Sequence, residues 1–154
     1  MWSGTVEHLH SCPRAFLPMG AFETLTLIKG EGIEGDRYRA GTGFYSDRPE
    51  EGRQVTLFEI ETLVALARDY GIRMAPADHR RNITTRGAPL NHLVGKVFRV
   101  GEVVLEGTRL STPCRHIEQI TGQEVFTPML HRSGLHARIL TGGIVRIGDV
   151  MTGD

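Results

Sequence analysis

The sequence lacks a charge excess, a long apolar run and a leader-like N-terminus. The charges of its eighteen basic and eighteen acidic residues cancel, whereas proteins that bind nucleic acid or acidic membranes usually carry an excess of basic residues. No apolar run approaches the length of a membrane span. The first twelve residues, MWSGTVEHLHSC, show neither the basic nor the apolar segment of a signal peptide. We therefore expect a cytoplasmic protein with no nucleic-acid partner and no membrane partner.

Cysteine is also scarce, since Cys12 and Cys114 are the only two. In a reducing compartment they are predicted to be free thiols. The zinc-binding spacings C-x-x-C and H-x-x-x-H are both missing. One irregular zinc set stays open, in which His8, His10 and Cys12 alternate along a strand and Cys114 and His116 complete the ligands.

Glycine, in contrast, is abundant, with nineteen residues, which indicates many turns and short strands. The length suits a single domain over residues 1–154. Two hairpins are predicted, one turning at Gly101-Glu102 and one at Gly142-Gly143. The candidate strands are Thr5–His10, Phe22–Ile28, Val97–Val100, Val103–Leu110, Leu135–Leu140 and Ile144–Ile147.

One longer helix is predicted between Thr56 and Gly71. Thr56 and Glu59 have the spacing of a capping box, an apolar stripe of helical period follows, and Gly71 is a typical stop. With strands in the majority, the prediction is a mostly β architecture, a closed barrel with a few short helices.

A glycine pattern near residue 30 resembles a dinucleotide fingerprint. Gly30, Gly32 and Gly35 have the spacing G-x-G-x-x-G, but that motif needs a helix to follow its third glycine. The next residues, DRYRAGTGFYSDRPEEG, contain three more glycines, a proline and no helical stripe. We therefore expect no NAD and no FAD binding. The loop either is a tight turn or positions Arg37, which follows Asp36 in the sequence, to bind an anionic ligand.

The stretch RLSTPCRHIEQITG, residues 109–122, contains the second cysteine. Thr112 is a good N-cap, Pro113 suits the first helical position, and Gly122 can end a short helix. Cys114 would then lie among unpaired N–H groups and beside Arg115, which favours a thiolate. A reactive or metal-binding sulfur and a small buried apolar side chain remain alternatives. A hydrolase pairing would also be open, with one of three histidines as the base, namely His116, His131 or His136.

The stretch HRRNITTRG, residues 79–87, concentrates positive charge. Arg81 and Arg86 flank Asn82 and Thr84, and in an extended chain Asn82, Thr84 and Arg86 share one face. Such a face suits a phosphate, and arginines on a solvated edge are the alternative. If the Arg81 side chain is partly exposed, replacing it should weaken anion binding and leave stability nearly unchanged.

Taken together, six motifs in order resemble the MOSC domain. This is the C-terminal domain of molybdenum cofactor sulfurases, and it also occurs as free-standing bacterial proteins. The resemblance runs from about Gly4 to Asp149. The motifs are GIEGDR at 32–37, RQVTL at 53–57, RRNITTRG at 80–87, LVGKVFRVGEVVLEG at 93–107, PCRHIEQITG at 113–122 and SGLHARILTGGIVRIGD at 133–149.

The resemblance implies a β-barrel with one functional cysteine, matched by Cys114, which either carries sulfur as a persulfide or ligates the molybdenum of the pterin cofactor. It implies a sulfur transferase or an oxidoreductase component. Its partners would be a pyridoxal-phosphate cysteine desulfurase as sulfur donor and the pterin molybdenum cofactor or its carrier protein. The cofactor-binding residues that the resemblance implies are Arg37, Arg53, Arg81, Asn82, Thr84 and Ser111, and Arg86 is added to them because it shares a strand face with Asn82 and Thr84. The alternative is a non-catalytic module that binds a phosphorylated or pterin ligand.

Overall fold

The computed structural model describes residues 1–13, 17–36, 54–113 and 115–153, except for the side chains of residues 115, 116 and 120. Its helices are α1 (Ile60–Tyr70) and α2 (Arg115–Thr121), with 3₁₀ turns at Pro76–His79 and Leu90–Leu93. Its strands are β1 (Ser3–Ser11), β2 (Gly20–Phe22), β3 (Thr24–Ile28), β4 (Gly32–Ile33), β5 (Val55–Glu59), β6 (Ile83–Arg86), β7 (Val97–Val100), β8 (Val103–Leu110), β9 (Leu135–Thr141), β10 (Gly143–Arg146) and β11 (Val150–Gly153).

Seven of these strands form a closed barrel in the order β11-β7-β8-β9-β5-β6-β1. The barrel closes where β1 pairs with β11, with Ser3 opposite Thr152. The β5–β6 pair is parallel, and the other neighbours are antiparallel. Strand β2 extends the far end of β1, while β10, β3 and β4 form a separate small sheet. The predicted mostly β, closed-barrel architecture with short helices is confirmed.

Two apolar clusters lie on opposite faces of the barrel wall. Successive residues of a strand point to opposite faces, and accordingly Val55 and Leu57 of β5 belong to the main core while Phe58 belongs to the second cluster. The main core receives side chains from every barrel strand and from the small sheet. The second cluster joins Phe58 to Leu66 of α1 and Ile117 of α2. The two helices therefore cover the outer face of the wall at β5.

The start of the longer helix differs from the prediction. Thr56 lies in β5, and α1 begins at Ile60, after an N-cap residue, Glu59, whose side chain makes no capping hydrogen bond. The hydroxyl of Thr56 instead bonds to Asn82. The predicted capping box is wrong because β5 is buried on both faces and so shows no alternation. The predicted stop at Gly71 is confirmed by its left-handed φ of 66°.

The hairpin at Gly101-Glu102 is confirmed, since it joins the antiparallel strands β7 and β8. The predicted hairpin at Gly142-Gly143 is wrong, because β10 pairs with β3 of the small sheet. A Cβ on Gly142 would lie 2.6 Å from the carbonyl oxygen of Leu27, so this glycine allows close passage over β3 rather than a turn. The predicted strand Phe22–Ile28 is two strands, β2 and β3, and β11 was not predicted.

The helices in the described part of the chain are too short or too polar to traverse a lipid bilayer.

Candidate functional site

Polar side chains line up on the outer face of four neighbouring strands. Residues that face the core, such as Leu9, Leu57 and Ile83, alternate with residues that face outward. In one row across the wall, His8 of β1 lies opposite Thr84 of β6, which lies opposite Phe58 of β5. In the next row, Thr56 of β5 lies opposite His136 of β9. The register thus brings together polar residues that are up to about 130 positions apart in the chain.

Asn82 is the centre of this network and is only 1% exposed. Its Oδ1 accepts hydrogen bonds from the backbone N–H and the hydroxyl of Thr56, at 3.1 and 3.0 Å. Its Nδ2 donates to the carbonyl of His10 at 3.1 Å and to Oδ1 of Asp36 at 3.3 Å. Because an amide offers two acceptor and two donor positions, all of them are engaged within the protein. Asn82 therefore ties β1, β5 and the glycine loop together.

The glycine loop leads to the buried carboxylate of Asp36. This carboxylate also accepts bonds from the hydroxyl of Ser11 at 3.3 Å and from the backbone N–H of Cys12 at 3.4 Å. Gly35, with a φ of 80°, lets the chain turn into this position. The loop thus anchors its end to β1, and Arg37 follows immediately in the sequence but lies outside the described residues.

His79 lies fully buried beneath this network. Its ring stacks on Phe58 with centroids 4.1 Å apart. Its Nδ1 accepts the backbone N–H of Arg81 at 2.9 Å, so Nε2 carries the proton and donates to the Thr84 hydroxyl at 2.8 Å. Burial holds the pKa of His79 well below its usual value, and the positive charge of Arg81 and the nearby His10 and His8 lower it further. His79 is consequently a neutral imidazole that fixes its two neighbours.

The Arg81 side chain is 6% exposed and binds two backbone segments. Its Nε donates to the carbonyl of Ser133 at 3.2 Å, and its Nη2 donates to the carbonyl of Thr112 at 3.3 Å. Thr112 lies two positions before Cys114. Arg81 therefore holds the chain that leads to the cysteine against the polar rows of β6.

The other arginines of the stretch 79–87 differ from Arg81 in their contacts. Nη1 of Arg80 donates to the carbonyl of Leu17 at 2.5 Å. The exposed Arg86 donates to Glu7 at 2.7 Å, so its closest contact is a surface ion pair. The predicted extended conformation of NITTR is confirmed by β6, which covers Ile83–Arg86.

Two polar atoms at the site are buried and have no hydrogen-bond partner in the described part of the chain. They are Oγ of Ser111 and Nδ1 of His10, in residues that are 3% and 4% exposed. The backbone N–H of Ser111 donates to the carbonyl of Gly134 at 2.8 Å, which fixes that residue beside the segment held by Arg81. Burial, and secondarily His8, lower the pKa of His10, which favours a neutral ring. Buried polar atoms usually have partners, so both are candidates to bind a ligand group.

Three of the predicted site residues, Cys114, Arg37 and Arg53, lie outside the described residues. Helix α2 begins at Arg115, two residues later than the predicted start at Pro113. The other thiol, Cys12, is buried and directs its sulfur to the carbonyl of Leu17 at 3.5 Å.

The described residues do not support the irregular zinc site predicted from the sequence. His8 and His10 have ring centroids 6.2 Å apart. Within residues 1–13, 17–36, 54–113 and 115–153, no three His, Cys, Asp or Glu side chains form a metal-binding group. Cys114 and the side chain of His116, the other two members of this set, lie outside the described part of the chain.

Two site residues, Thr56 and His79, were missed by the sequence analysis, and His136 was named only as a possible hydrolase base. His79 opens the stretch HRRNITTRG, and its distance of two positions from Arg81 was an available signal. No local pattern marks His136 or Thr56, because the strand register alone makes them neighbours.

Comparison with known proteins agrees with the barrel. The MOSC domain model matches residues 36–152. The solved structure of YuaD from Bacillus subtilis is similar, with 20% sequence identity, a TM-score of 0.79, and coverage of 98% of this chain and 97% of that chain. YiiM from Geobacillus stearothermophilus has 13% identity and a TM-score of 0.72, and the match covers 98% of this chain and 75% of that chain. YiiM from Escherichia coli has 18% identity and a TM-score of 0.65, and the match covers 100% of this chain and 70% of that chain. No curated protein matches the sequence significantly.

The family match covers all of β5 to β10 and ends within β11, so it includes the outward-facing residues of β5, β6 and β9, the Arg81 contacts and the segment that contains Cys114, but not His8 and His10 of β1. The chain belongs to the MOSC domain family.

Proposed function

We propose that this MOSC domain uses Cys114 either to carry sulfane sulfur as a persulfide or to ligate the molybdenum of the pterin cofactor. The observation that supports the proposal is the pair of hydrogen bonds from Arg81 to the carbonyls of Thr112 and Ser133. They hold the chain two residues before Cys114 against a buried polar site that contains the unpartnered Ser111 hydroxyl.

The donor set of the site fits an anionic cofactor group. Arg81 supplies a fixed positive charge, and Oγ of Ser111 and Nδ1 of His10 are buried polar atoms that can each take a ligand contact. Asn82 and Thr84 use their side chains inside the protein, so we propose that they support the site by holding its strands.

The pterin cofactor would contribute a molybdenum centre, for which a thiolate is a suitable soft ligand. Arg81 and Ser111 would hold its anionic end, together with Arg37 and Arg53 of the family motifs. Arg86, which is exposed and paired with Glu7, would add charge at the edge. On the protein side, the Arg81 contacts hold Thr112 and Ser133 before any ligand arrives, which lowers the ordering cost of binding.

In the sulfur-carrying mode, the Cys114 thiolate would attack the terminal sulfur of a persulfide on a cysteine desulfurase. A new S–S bond forms at Cys114, the donor's S–S bond breaks, and the donor cysteine leaves as a thiolate. No external oxidant or reductant is needed.

A matched pair of variants tests the role of Cys114. The protein, Cys12→Ser and Cys114→Ser are each incubated with a cysteine desulfurase and cysteine, and sulfur on each cysteine peptide is measured by mass spectrometry. We expect one added sulfur on Cys114 in the first two samples and none in the third. Cys12 is the internal control, because it is buried and already bonded to the carbonyl of Leu17. Equal loading of both thiols would refute the assignment.

The metal-binding mode is tested on protein purified from its own host, by elemental analysis for molybdenum and by fluorescence of the released pterin. Loss of both in Cys114→Ser, with retention in Cys12→Ser, is the expected result. Retention of the pterin ligand by both variants, with no sulfur loading in the first experiment, would instead favour a non-catalytic binding module.

A further inference from the structure

A cleft lies at a different part of the barrel from the polar site. It has a volume of about 350 Å³ and lies between the start of β1, the end of β11 and the segment that leads into β7. Its apolar walls are Trp2, Pro89, Leu93 and Val97. The size and the mainly apolar lining are typical of sites for small molecules.

The cleft is separate from the cysteine site. The carbonyl of Lys96, which lines the cleft, accepts the backbone N–H of Gly107 in β8. Ser111 lies four residues further along the chain, which at the rise of a β-strand corresponds to about 13 Å.

Trp2 forms a fixed wall of this cleft. Its indole packs against the main core and lies so close to β11 that a Cβ on Gly153 would be 3.0 Å from its Nε1. The absence of a side chain at Gly153 therefore lets the indole lie against the strand. The ring remains partly exposed, and a held aromatic ring offers a planar ligand a stacking surface at low entropic cost.

Two cationic or polar groups stand beside this aromatic wall. Lys96 is exposed, and its ammonium makes no ion pair or hydrogen bond with any residue of the described ranges. His92 also lines the cleft, and it interacts electrostatically with Glu59. Lys96 therefore supplies a positive charge to the cleft that no described residue neutralises. Such a charge favours an anionic ligand.

We propose that this cleft binds a small planar organic anion, an aromatic carboxylate, with its ring against the indole of Trp2 and its carboxylate at the ammonium of Lys96. This site is independent of the proposed role of Cys114, because none of its lining residues takes part in the cysteine site.

The sequence makes the test direct, because Trp2 is its only tryptophan. A ¹⁵N-labelled sample gives a single indole N–H resonance, and titration with 2-naphthoate should shift it in a saturable way. The lysines also supply a matched control, since Lys96 and Lys29 are the only two and both are exposed. We expect Lys96→Met to weaken naphthoate binding about fivefold or more and Lys29→Met to leave it unchanged. 

The uncharged analogue 2-naphthamide separates anion recognition from apolar adsorption, and it should bind at least about fivefold more weakly than naphthoate. An indole resonance that does not move at millimolar naphthoate would overturn the proposal. Equal binding of the amide and the acid, or equal effects of the two lysine variants, would overturn it as well. Persulfide loading of Cys114, measured on the same Lys96→Met protein, should be unaffected.

Discussion

Lowering the pH from about 7.5 to about 5.5 should destabilise the fold, because His79 is buried as a neutral imidazole. Burial lowers its pKa well below the ordinary value of 6.5, whereas in the unfolded chain the ring titrates near that value. Below about pH 6.5 the unfolded state therefore binds more protons than the folded state, and the free energy of unfolding falls as the pH falls.

The size of this effect follows from one proton per molecule. Over the stated pH window, a histidine that stays neutral in the folded state removes about 1.4 kcal/mol from the free energy of unfolding. His10, whose pKa is also lowered by burial, acts in the same direction. A variant that lacks only His79 and the unchanged protein both contain His10, so the difference between their pH dependences of stability isolates the contribution of His79.

His79→Gln is the appropriate variant, because its amide can still accept the N–H of Arg81 and donate to the hydroxyl of Thr84. Urea denaturation followed by far-UV circular dichroism at both pH values gives the two free energies of unfolding. We expect the variant to be less stable near pH 7.5 but to lose about 1.4 kcal/mol less on acidification than the unchanged protein. His131→Asn, at an exposed histidine, should keep the full pH dependence. An unchanged pH dependence in His79→Gln would refute the reasoning.

Three further outcomes can be measured by the same denaturation assay. Arg81→Ala should cost about 3 kcal/mol, because two charge-assisted bonds to backbone carbonyls are lost, and Arg81→Lys should recover only part of it; a loss near zero would contradict this. Thr56→Val should cost about 1–2 kcal/mol through its buried hydroxyl bonds, while the exposed Thr26→Val serves as the control and should change little. Glu7→Gln, which breaks an exposed ion pair with Arg86, should cost less than about 1 kcal/mol, and a larger loss would show that this pair is more than a surface contact.

The barrel was predictable where one face of a strand is polar. Strands β7 and β8 alternate and turn at Gly101, and the structure confirms both. Strand β5 was not predictable, because Leu57 is buried in the main core and Phe58 under the helices, which removes the alternation. The pairing of β10 with β3 was missed for a different reason, namely that the partner strands are more than a hundred residues apart.

The candidate site shows the same division. The extended conformation of the NITTR segment was predicted correctly from the local sequence. The burial of Arg81, which is 6% exposed, was not predicted. We therefore expect its replacement to destabilise the fold by the amount given above, and not to leave stability unchanged. The bonds from Asn82 to Thr56 and Asp36 come from the strand register, which no local pattern encodes.

The closure of the barrel through β1 and β11 has a consequence for how the protein is made. Ser3 pairs with Thr152, so β1 cannot complete its pairing until β11 has been synthesised. Until β11 has left the ribosome, the residues of β1 and β7 that pair with β11 form open strand edges. Open edges are sites at which nascent chains associate incorrectly. Contacts of such long sequence separation also slow folding. The barrel can therefore close only after translation has passed β11.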